Sequence, residues 1–287
     1  MSKVEVVRDM QVYIDEHIKE KITLADLARH SNYSPWHVHR LFQEVLNITP
    51  SDYIRKLKLS KSALKLRDTN TKIIDIAYAF GYDSVDGYQR AFYREFHVNP
   101  YEYSRHIKPI CLFIPYKKYD KKETIMEKVN NVFISIEERE ARKVIIKRGI
   151  KADNYMDYSM EVGCDVWGIL SSMKSPYGEP VCLWLPKKYI KKNTSIYVQG
   201  IEVESYNEKE IPEGFEVIEL PKATYLRFTG EPFKEEDYSV AIETLWEAIK
   251  KFSPESMGYT WDKENPRIQL EPIGSRGYIE LVPIKKI

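Results

Sequence analysis

The chain has 287 residues, with 44 Lys/Arg against 43 Asp/Glu, and it is 43% hydrophobic and 30% charged. That length suggests two domains, and the composition is ordinary for a soluble globular protein, not a fibrous or disordered one. Cys111, Cys164 and Cys182 give no disulfide framework and no CxxC metal pair, no stretch nears the roughly 18 apolar residues of a membrane span, and MSKVEVVRDM is no signal peptide, so a reduced, cytoplasmic protein is expected.

The near-zero net charge averages over an uneven chain. Residues 1–108 hold 17 Lys/Arg against 14 Asp/Glu and all six His, and the remainder holds 27 against 29. Basic residues concentrate in 54–72, where Arg55, Lys56, Lys58, Lys61, Lys65, Arg67 and Lys72 face only Asp68. A local basic stripe marks nucleic-acid binding better than net charge does, although a solvated helix face has the same pattern.

An opening helix is expected over residues 4–19. Thr23, with Asp26 at the third position, opens a second helix at Leu24, and Arg29–Tyr33 is a turn. Ser34 caps a third helix with Pro35 at its first position. Val38, Leu41, Phe42 and Val45 form the apolar stripe of that helix. Its opposite stripe is Trp36, His39, Arg40 and Gln43. A helix follows over 51–67, then one over Thr71–Phe80, the turn Gly81-Tyr82-Asp83, and a helix capped by Ser84. Tyr88, Ala91, Phe92 and Phe96 are the inner face of this last helix, and Asp86, Gln89, Arg90 and Tyr93 the outer.

These segments repeat. At an offset of 50, Ser34, Arg40, Phe42, Pro50, Tyr53 and Arg55 match Ser84, Arg90, Phe92, Pro100, Tyr103 and Arg105. Each copy reads as short helix, turn, longer helix. The ordered motifs LADLA (24–28), SPWHVHRLF (34–42), ITPSDYIR (48–55), IDIAYAFGY (74–82) and RAFYREFHVNPYEYSR (90–105) resemble the DNA-binding domain of the AraC/XylS family, two helix-turn-helix units joined by a linker helix. The resemblance covers residues 1–108. It implies duplex DNA as partner, with Trp36, His39 and Arg40 reading bases in the first unit and Asp86, Gln89 and Arg90 in the second. Asp86 either accepts from a cytosine amino group or orients Arg90. Ser34, Ser84, Thr49, Ser51 and the basic helix are phosphate candidates. For Trp36, packing against a neighbouring helix is the competing reading.

Residues 109–130 read as a linker. Beyond it the periodicity alternates: strands at Val132–Ile136 and Lys143–Lys147, a helix over 154–173, strands at Val181–Leu185 and Ser195–Val203. The order then recurs, with strands at Phe215–Leu220 and Ala223–Thr229, a helix over 235–251, and strands at Arg267–Leu270 and Gly277–Ile284. The fold class is multidomain: an all-α tandem helix-turn-helix region, 1–108, followed by an α+β domain, 131–287, built from a duplicated β-β-α-β-β unit.

PEGFEVIELPKATYLRFTG (212–230) and YIELVPI (278–284) resemble the GyrI-like effector domain. That resemblance implies a pocket between the two repeats, with aromatic walls around a carboxylate, for bulky and often cationic compounds. The candidates are Tyr155, Trp167, Trp184, Tyr206, Tyr225, Trp246 and Trp261, with Phe215 and Tyr259 as further aromatics. For any one of them, core packing is the plainer reading. The family places its buried Glu after a Pro-x-Phe/Ile step, where this chain has Gln269, with Glu271 two residues on. Either Glu271 takes the role, or the ligand is not a simple cation, or the pocket has lost its ligand.

The sequence contains no HExxH, GxSxG, Walker or Rossmann motif. The expectation is therefore a transcription regulator, an activator by analogy, with DNA, RNA polymerase and a small-molecule effector as partners, no cofactor and no catalysis. Two alternatives stand for the C-terminal domain. One is a protein-interaction module, which predicts an exposed apolar patch. The other is a hydrolase using Tyr155, Tyr225 or Glu271.

Overall fold

The computed structural model describes residues 2–115, 131–163, 165–204 and 211–287. The chain divides into two compact units, Met1–Lys122 and Glu123–Ile287.

The first unit is helical: α1 (Lys3–Glu16), α2 (Leu24–Ser31), α3 (Pro35–Leu46), α4 (Pro50–Asp68), α5 (Ile73–Ala79), α6 (Val85–Phe96) and α7 (Pro100–Arg105). Side chains satisfy the orphan amides at the helix starts. Ser2 with Glu5, and Thr23 with Asp26, form capping boxes, and Ser34, Thr49, Ser84 and Asn99 each accept from an amide of the following turn. The α5 start falls later than the sequence suggested. Thr71 bonds the Thr69 hydroxyl at 2.8 Å, and Lys72 sits at the cap without a side-chain bond.

The repeat is written in the backbone too. Asn32 (φ 58) and Gly81 (φ 72) end α2 and α5 in the left-handed region, and the amides one residue on, of Tyr33 and Tyr82, return to Ala28 O and Ala77 O. Asn47 (φ 54) and His97 (φ 55) end α3 and α6 in the same way.

The helix α4 is a pillar shared by two cores. Tyr53, Ile54 and Leu57 pack with Val38, Leu41 and Phe42, whereas Leu59, Ala63 and Leu66 pack with Tyr88, Phe92 and Tyr103. The rings of Phe42 and Tyr53 meet at 5.6 Å, and those of Phe92 and Tyr103 at 5.8 Å. A helix enclosed on both sides has little outer face, so the basic residues expected along it are mostly half-buried, with Lys65 exposed. Arg55 and Lys56 pair with Glu95 of α6, Lys61 with Asp15 of α1 and Arg67 with Asp68. Lys58 is buried and donates to Glu20 O at 2.6 Å.

The expected linker, 109–130, starts too early. Ile110 and Leu112 are buried in the second helical core, and the Phe113 amide donates to Ser60 Oγ at 2.7 Å. Residues 116–130 lie outside the described residues.

In the second unit the elements are β1 (Val132–Arg139), β2 (Arg142–Arg148), α8 (Tyr155–Val162), α9 (Asp165–Ser171), β3 (Val181–Trp184), β4 (Tyr197–Val203), β5 (Glu216–Leu220), β6 (Ala223–Gly230), α10 (Tyr238–Lys251), β7 (Tyr259–Trp261), β8 (Arg267–Gln269) and β9 (Ile279–Lys286). The single helix expected over 154–173 is two, because the chain leaves the helical region at Gly163 (φ 83). The three-residue β7, which hangs on β9, is too short to leave a periodic signal in the sequence.

The strands form one antiparallel sheet in the order β1-β6-β9-β8-β3-β4-β2-β5. The two halves meet at the β3·β8 pair, where Trp184 faces Arg267 and Cys182 faces Gln269. Each half lends its first strand to the other: β1 pairs with β6, and β5 with β2. One face is a core of Val144, Ile146, Val181, Leu183, Tyr225, Ile268 and Leu281. The other carries the helices, with Val166 and Leu170 on Ile145 and Ile201, and Leu245 on Leu226 and Phe228.

Candidate nucleic-acid interface and effector site

On α3 the apolar residues Val38, Leu41, Phe42 and Val45 are buried, which leaves the other stripe outward. Trp36 is 68% exposed. His39 and Arg40 are exposed, and Gln43 is half-buried. The Arg40 guanidinium lies over the Trp36 ring at 4.7 Å and approaches Glu44 at 3.5 Å. The competing reading for Trp36, packing against a neighbouring helix, does not describe a ring this open. On α6, Asp86, Arg90 and Tyr93 are exposed and Gln89 is half-buried. Ser34 and Ser84 spend their hydroxyls on the His37 and Gly87 amides, at 3.3 and 3.1 Å. Thr49 caps α4 by accepting from the Asp52 amide at 3.1 Å and donates to the Asp52 carboxylate.

In the second unit the pleat sorts the aromatic candidates. Trp184 and Gln269 face the helix side, as do Tyr197 of β4 and Glu280 of β9. Trp167 and Trp184 both pack against the cluster of Tyr158, Cys182 and Tyr197. Trp246 comes down from α10, and its indole donates to Glu280 at 2.6 Å. Tyr155, at the start of α8, is 41% exposed.

Two candidates do not join this group. Tyr225 lies on the opposite face, where its hydroxyl accepts from Arg142 at 3.1 Å beside the buried Glu202, itself paired with Arg139 and Arg142. Trp261 packs edge-on against Phe252 in the core under α10. Tyr206 lies outside the described residues. Phe215 packs with the Ile145 cluster and Tyr259 with the Leu226 cluster.

Neither position weighed for the pocket carboxylate, Gln269 or Glu271, holds an enclosed carboxylate. The Gln269 amide oxygen accepts from the Tyr197 hydroxyl at 2.8 Å. Glu271 lies past the end of β8, its amide donating to Glu179 at 3.3 Å and its carbonyl accepting from Arg276 at 2.7 Å. On the helix side the buried carboxylate is Glu280, fully enclosed and cross-strand from Gln269. Its Oε1 accepts from the Tyr278 hydroxyl at 2.5 Å and the Trp246 indole, and its Oε2 from Arg267 Nε and Nη2. Burial and the neighbouring carboxylate push the Tyr278 phenol well above its ordinary value, so it remains a donor. Burial likewise pushes the Cys182 thiol beneath this group up to about 12.

Sequence reasoning missed Glu280, Arg267, Tyr197 and Tyr278. The signal was present: a lone Glu inside the apolar run YIELVPI is expensive to bury without a partner, and so marks a paired site.

A tandem helix-turn-helix unit with outward aromatic and basic stripes, followed by a duplicated α+β unit with an aromatic-walled carboxylate, defines a DNA-binding regulator with an effector-binding domain. Residues 27–106 match the helix-turn-helix domain family, and residues 135–281 match the family described as integron-associated effector binding protein. The regulatory protein SoxS of Escherichia coli (strain K12) is 39% identical over 103 residues, 36% of this chain and 96% of that protein. The transcriptional regulator Rob of Salmonella typhimurium (strain LT2) is 35% identical over 105 residues, which span 36% of its own length. Among solved structures, an AraC-type regulator from Chromobacterium violaceum is 24% identical, covering 35% of this chain and 90% of that one at a TM-score of 0.34. The chain belongs to the AraC/XylS family of transcription regulators, in the Rob-type arrangement with a C-terminal GyrI-like effector-binding domain.

Proposed function

We propose that this protein is an effector-responsive transcription activator that reads two adjacent major-groove segments as one chain and responds to a small aromatic molecule bound beside Glu280. The observation that carries the DNA half is the outward Trp36–Arg40 stripe on α3, matched by Gln89 and Arg90 on α6. These residues, with His39, Gln43 and Asp86, are the proposed base readers. Ser34, Ser84 and Thr49 position the helix starts at phosphates, and the two readers fall about one helical turn (~34 Å) apart along the duplex. Sensing is carried by the buried Glu280 under Trp184 and Trp246, with Trp167, Tyr155 and Gln269 on the same face. RNA polymerase is the proposed partner in activation, and binding alone, without turnover, is the proposed role of the second unit. Ligand raises transcription by binding the active state more tightly than the inactive one.

The test has two arms. Hydroxyl-radical footprinting on a selected site should protect two segments one turn apart, and protection limited to half a turn counts against tandem reading. Tryptophan fluorescence of the full chain should respond saturably to some member of a panel of aromatic acids, cations and neutral compounds. No response from any class counts against sensing.

A protein-interaction role for the second unit is the second reading. It is favoured by the edge strand β1, where Phe133, Ile134 and Ile136 are 63%, 38% and 45% exposed. A partner there would be lost on replacing Phe133 and Ile136 with Lys and Thr.

A further inference from the structure

The Arg267 guanidinium lies where a receptor of this design would hold the charged head of an organic cation. Its carbon is 4.9 Å from the Trp184 ring centre and 5.9 Å from that of Trp246, and two of its N–H groups grip the fully buried Glu280. Aromatic faces beside a desolvated carboxylate are the recognition elements for a cation. Here both are already engaged by the chain itself.

The sheet register fixes this arrangement. Arg267 and Trp184 are direct cross-strand partners on β8 and β3, and Glu280 stands on β9 opposite Gln269, one residue pair further along. No rearrangement is needed to bring the charges together. The carboxylate has no vacant acceptor position of consequence, since Tyr278, Trp246 and the two Arg267 N–H groups supply four donors to its two oxygens. The other half of the duplication makes the contrast. Gln199 stands opposite Cys182 on β4 as Glu280 stands opposite Gln269 on β9, so the first half carries no carboxylate at this place.

We infer that Arg267 is a specificity-determining residue: it fills the cation position of the effector site and closes that site to organic cations. The inference rests on the effector-sensing reading above. A free cation must displace an intramolecular guanidinium that holds one Glu280 oxygen with two N–H groups, at an effective concentration on the order of millimolar or more. A quaternary ammonium offers Glu280 no N–H in exchange. The Arg267 side chain is 32% exposed, so uncharged or acidic planar molecules can approach its outer edge and the indoles without breaking the pair.

The experiment uses the full chain and three probes of one shape: benzamidinium, benzamide and benzoate. Each is titrated at constant ionic strength with tryptophan fluorescence as readout. Wild type is compared with Arg267→Ala, Arg267→Lys and Arg267→Ala/Glu280→Gln, each checked for a cooperative thermal transition. The expected result is a gain of at least tenfold in benzamidinium affinity on Arg267→Ala, no gain on Arg267→Lys, and loss of the gain in the double variant. A folded Arg267→Ala with no gain overturns the inference, as does a wild type that binds benzamidinium as tightly as that variant. If Arg267→Ala does not fold, Arg267→Met keeps the aliphatic stem, and ethylguanidinium at millimolar concentration should raise its melting temperature more than that of wild type. Equal shifts overturn the inference. Failure of the sensing reading looks different: wild type then responds to no compound of any charge, whatever happens in the variants.

Discussion

Arg55 of α4 donates to Glu95 of α6 at 2.6 Å and so ties the linker helix to the second helix-turn-helix unit. Its counterpart in the repeat, Arg105, is exposed and lies over the Tyr101 ring at 4.5 Å instead. Two residues that the sequence pairs as equivalents therefore have different work. The Glu95 side chain is 15% exposed and also takes Lys56, so its removal takes the ion pair from Lys56 and leaves Arg55 with Asp52 alone among the described residues. Glu95→Ala should cost about 1–2 kcal/mol, a charged hydrogen bond discounted for the partial exposure of Arg55. Urea denaturation of Arg55→Ala, Glu95→Ala and the double variant should give a coupling near 1 kcal/mol. Additive effects would remove the link between the units.

Arg40 and Arg90 present unburied guanidinium groups on the outward stripes of α3 and α6. If each makes a bidentate base contact, Arg40→Ala and Arg90→Ala should each weaken binding to the selected site by about 1–3 kcal/mol. Binding to random DNA at the same salt concentration should change far less. Competition titration separates the cases, because equal losses on both DNAs would assign these side chains to phosphate. Trp36→Ala should have a smaller effect in the same direction, since it removes the ring on which Arg40 rests.

Burial sets an alkaline limit on the helical unit. Tyr82 and Tyr103 are pushed up to about 12, and Tyr53 and Tyr88 further still. A phenol whose folded value is raised contributes stability that is full below the ordinary value near 10 and is lost as pH rises toward the folded value. Phenolate absorbance at 295 nm should therefore appear for these residues only together with loss of helical circular dichroism above pH 10. Titration of all tyrosines with the helices intact would contradict this.

The same group yields a contrast between substitutions. Among the described residues the buried Tyr103 hydroxyl has no hydrogen-bond partner, whereas the Tyr53 hydroxyl accepts from Gln11 at 3.2 Å. Tyr103→Phe should be neutral or stabilising by up to about 1 kcal/mol, and Tyr53→Phe should cost about 0.5–1.5 kcal/mol. Thermal denaturation of the two variants gives the order.

Gly81 ends α5 at φ 72, and a methyl group there would lie 3.2 Å from Lys19 O and 3.3 Å from Glu20 O. Backbone oxygens do not step aside cheaply, and the left-handed region costs alanine about 1–2 kcal/mol. Gly81→Ala should destabilise the helical unit by about 1–3 kcal/mol, read from its denaturant midpoint. Asn at the same position should cost less, since Asn32 and Asn47 already occupy this region.

Much of the helical unit was legible in the chain because its signals are local. Caps such as Thr23 and Ser34, the 3.6-residue apolar stripe of α3 and the turn at Gly81 are each written within a few residues. The basic stripe on α4 was not legible as a set of ion pairs, because Asp15 and Glu95 lie some 40 residues away on other helices.

In the second unit most strands follow from alternation and two halves of one kind from its recurrence, whereas the break between α8 and α9 and the short β7 do not. Alternation cannot say which face a strand turns to the helices, so Tyr225 and Trp184 looked alike in sequence and lie on opposite faces. Nor does sequence say whether Glu271 or Glu280 is the enclosed carboxylate, since that depends on the cross-strand register of β8 and β9. The chain by itself determined the elements, their duplication and the kinds of side chain available. Tertiary structure alone decided that Arg267, Trp184, Trp246 and Glu280 meet. Those residues come from two strands of one half, one strand of the other and a helix, and burying a carboxylate is tolerable only where folding delivers its partners together.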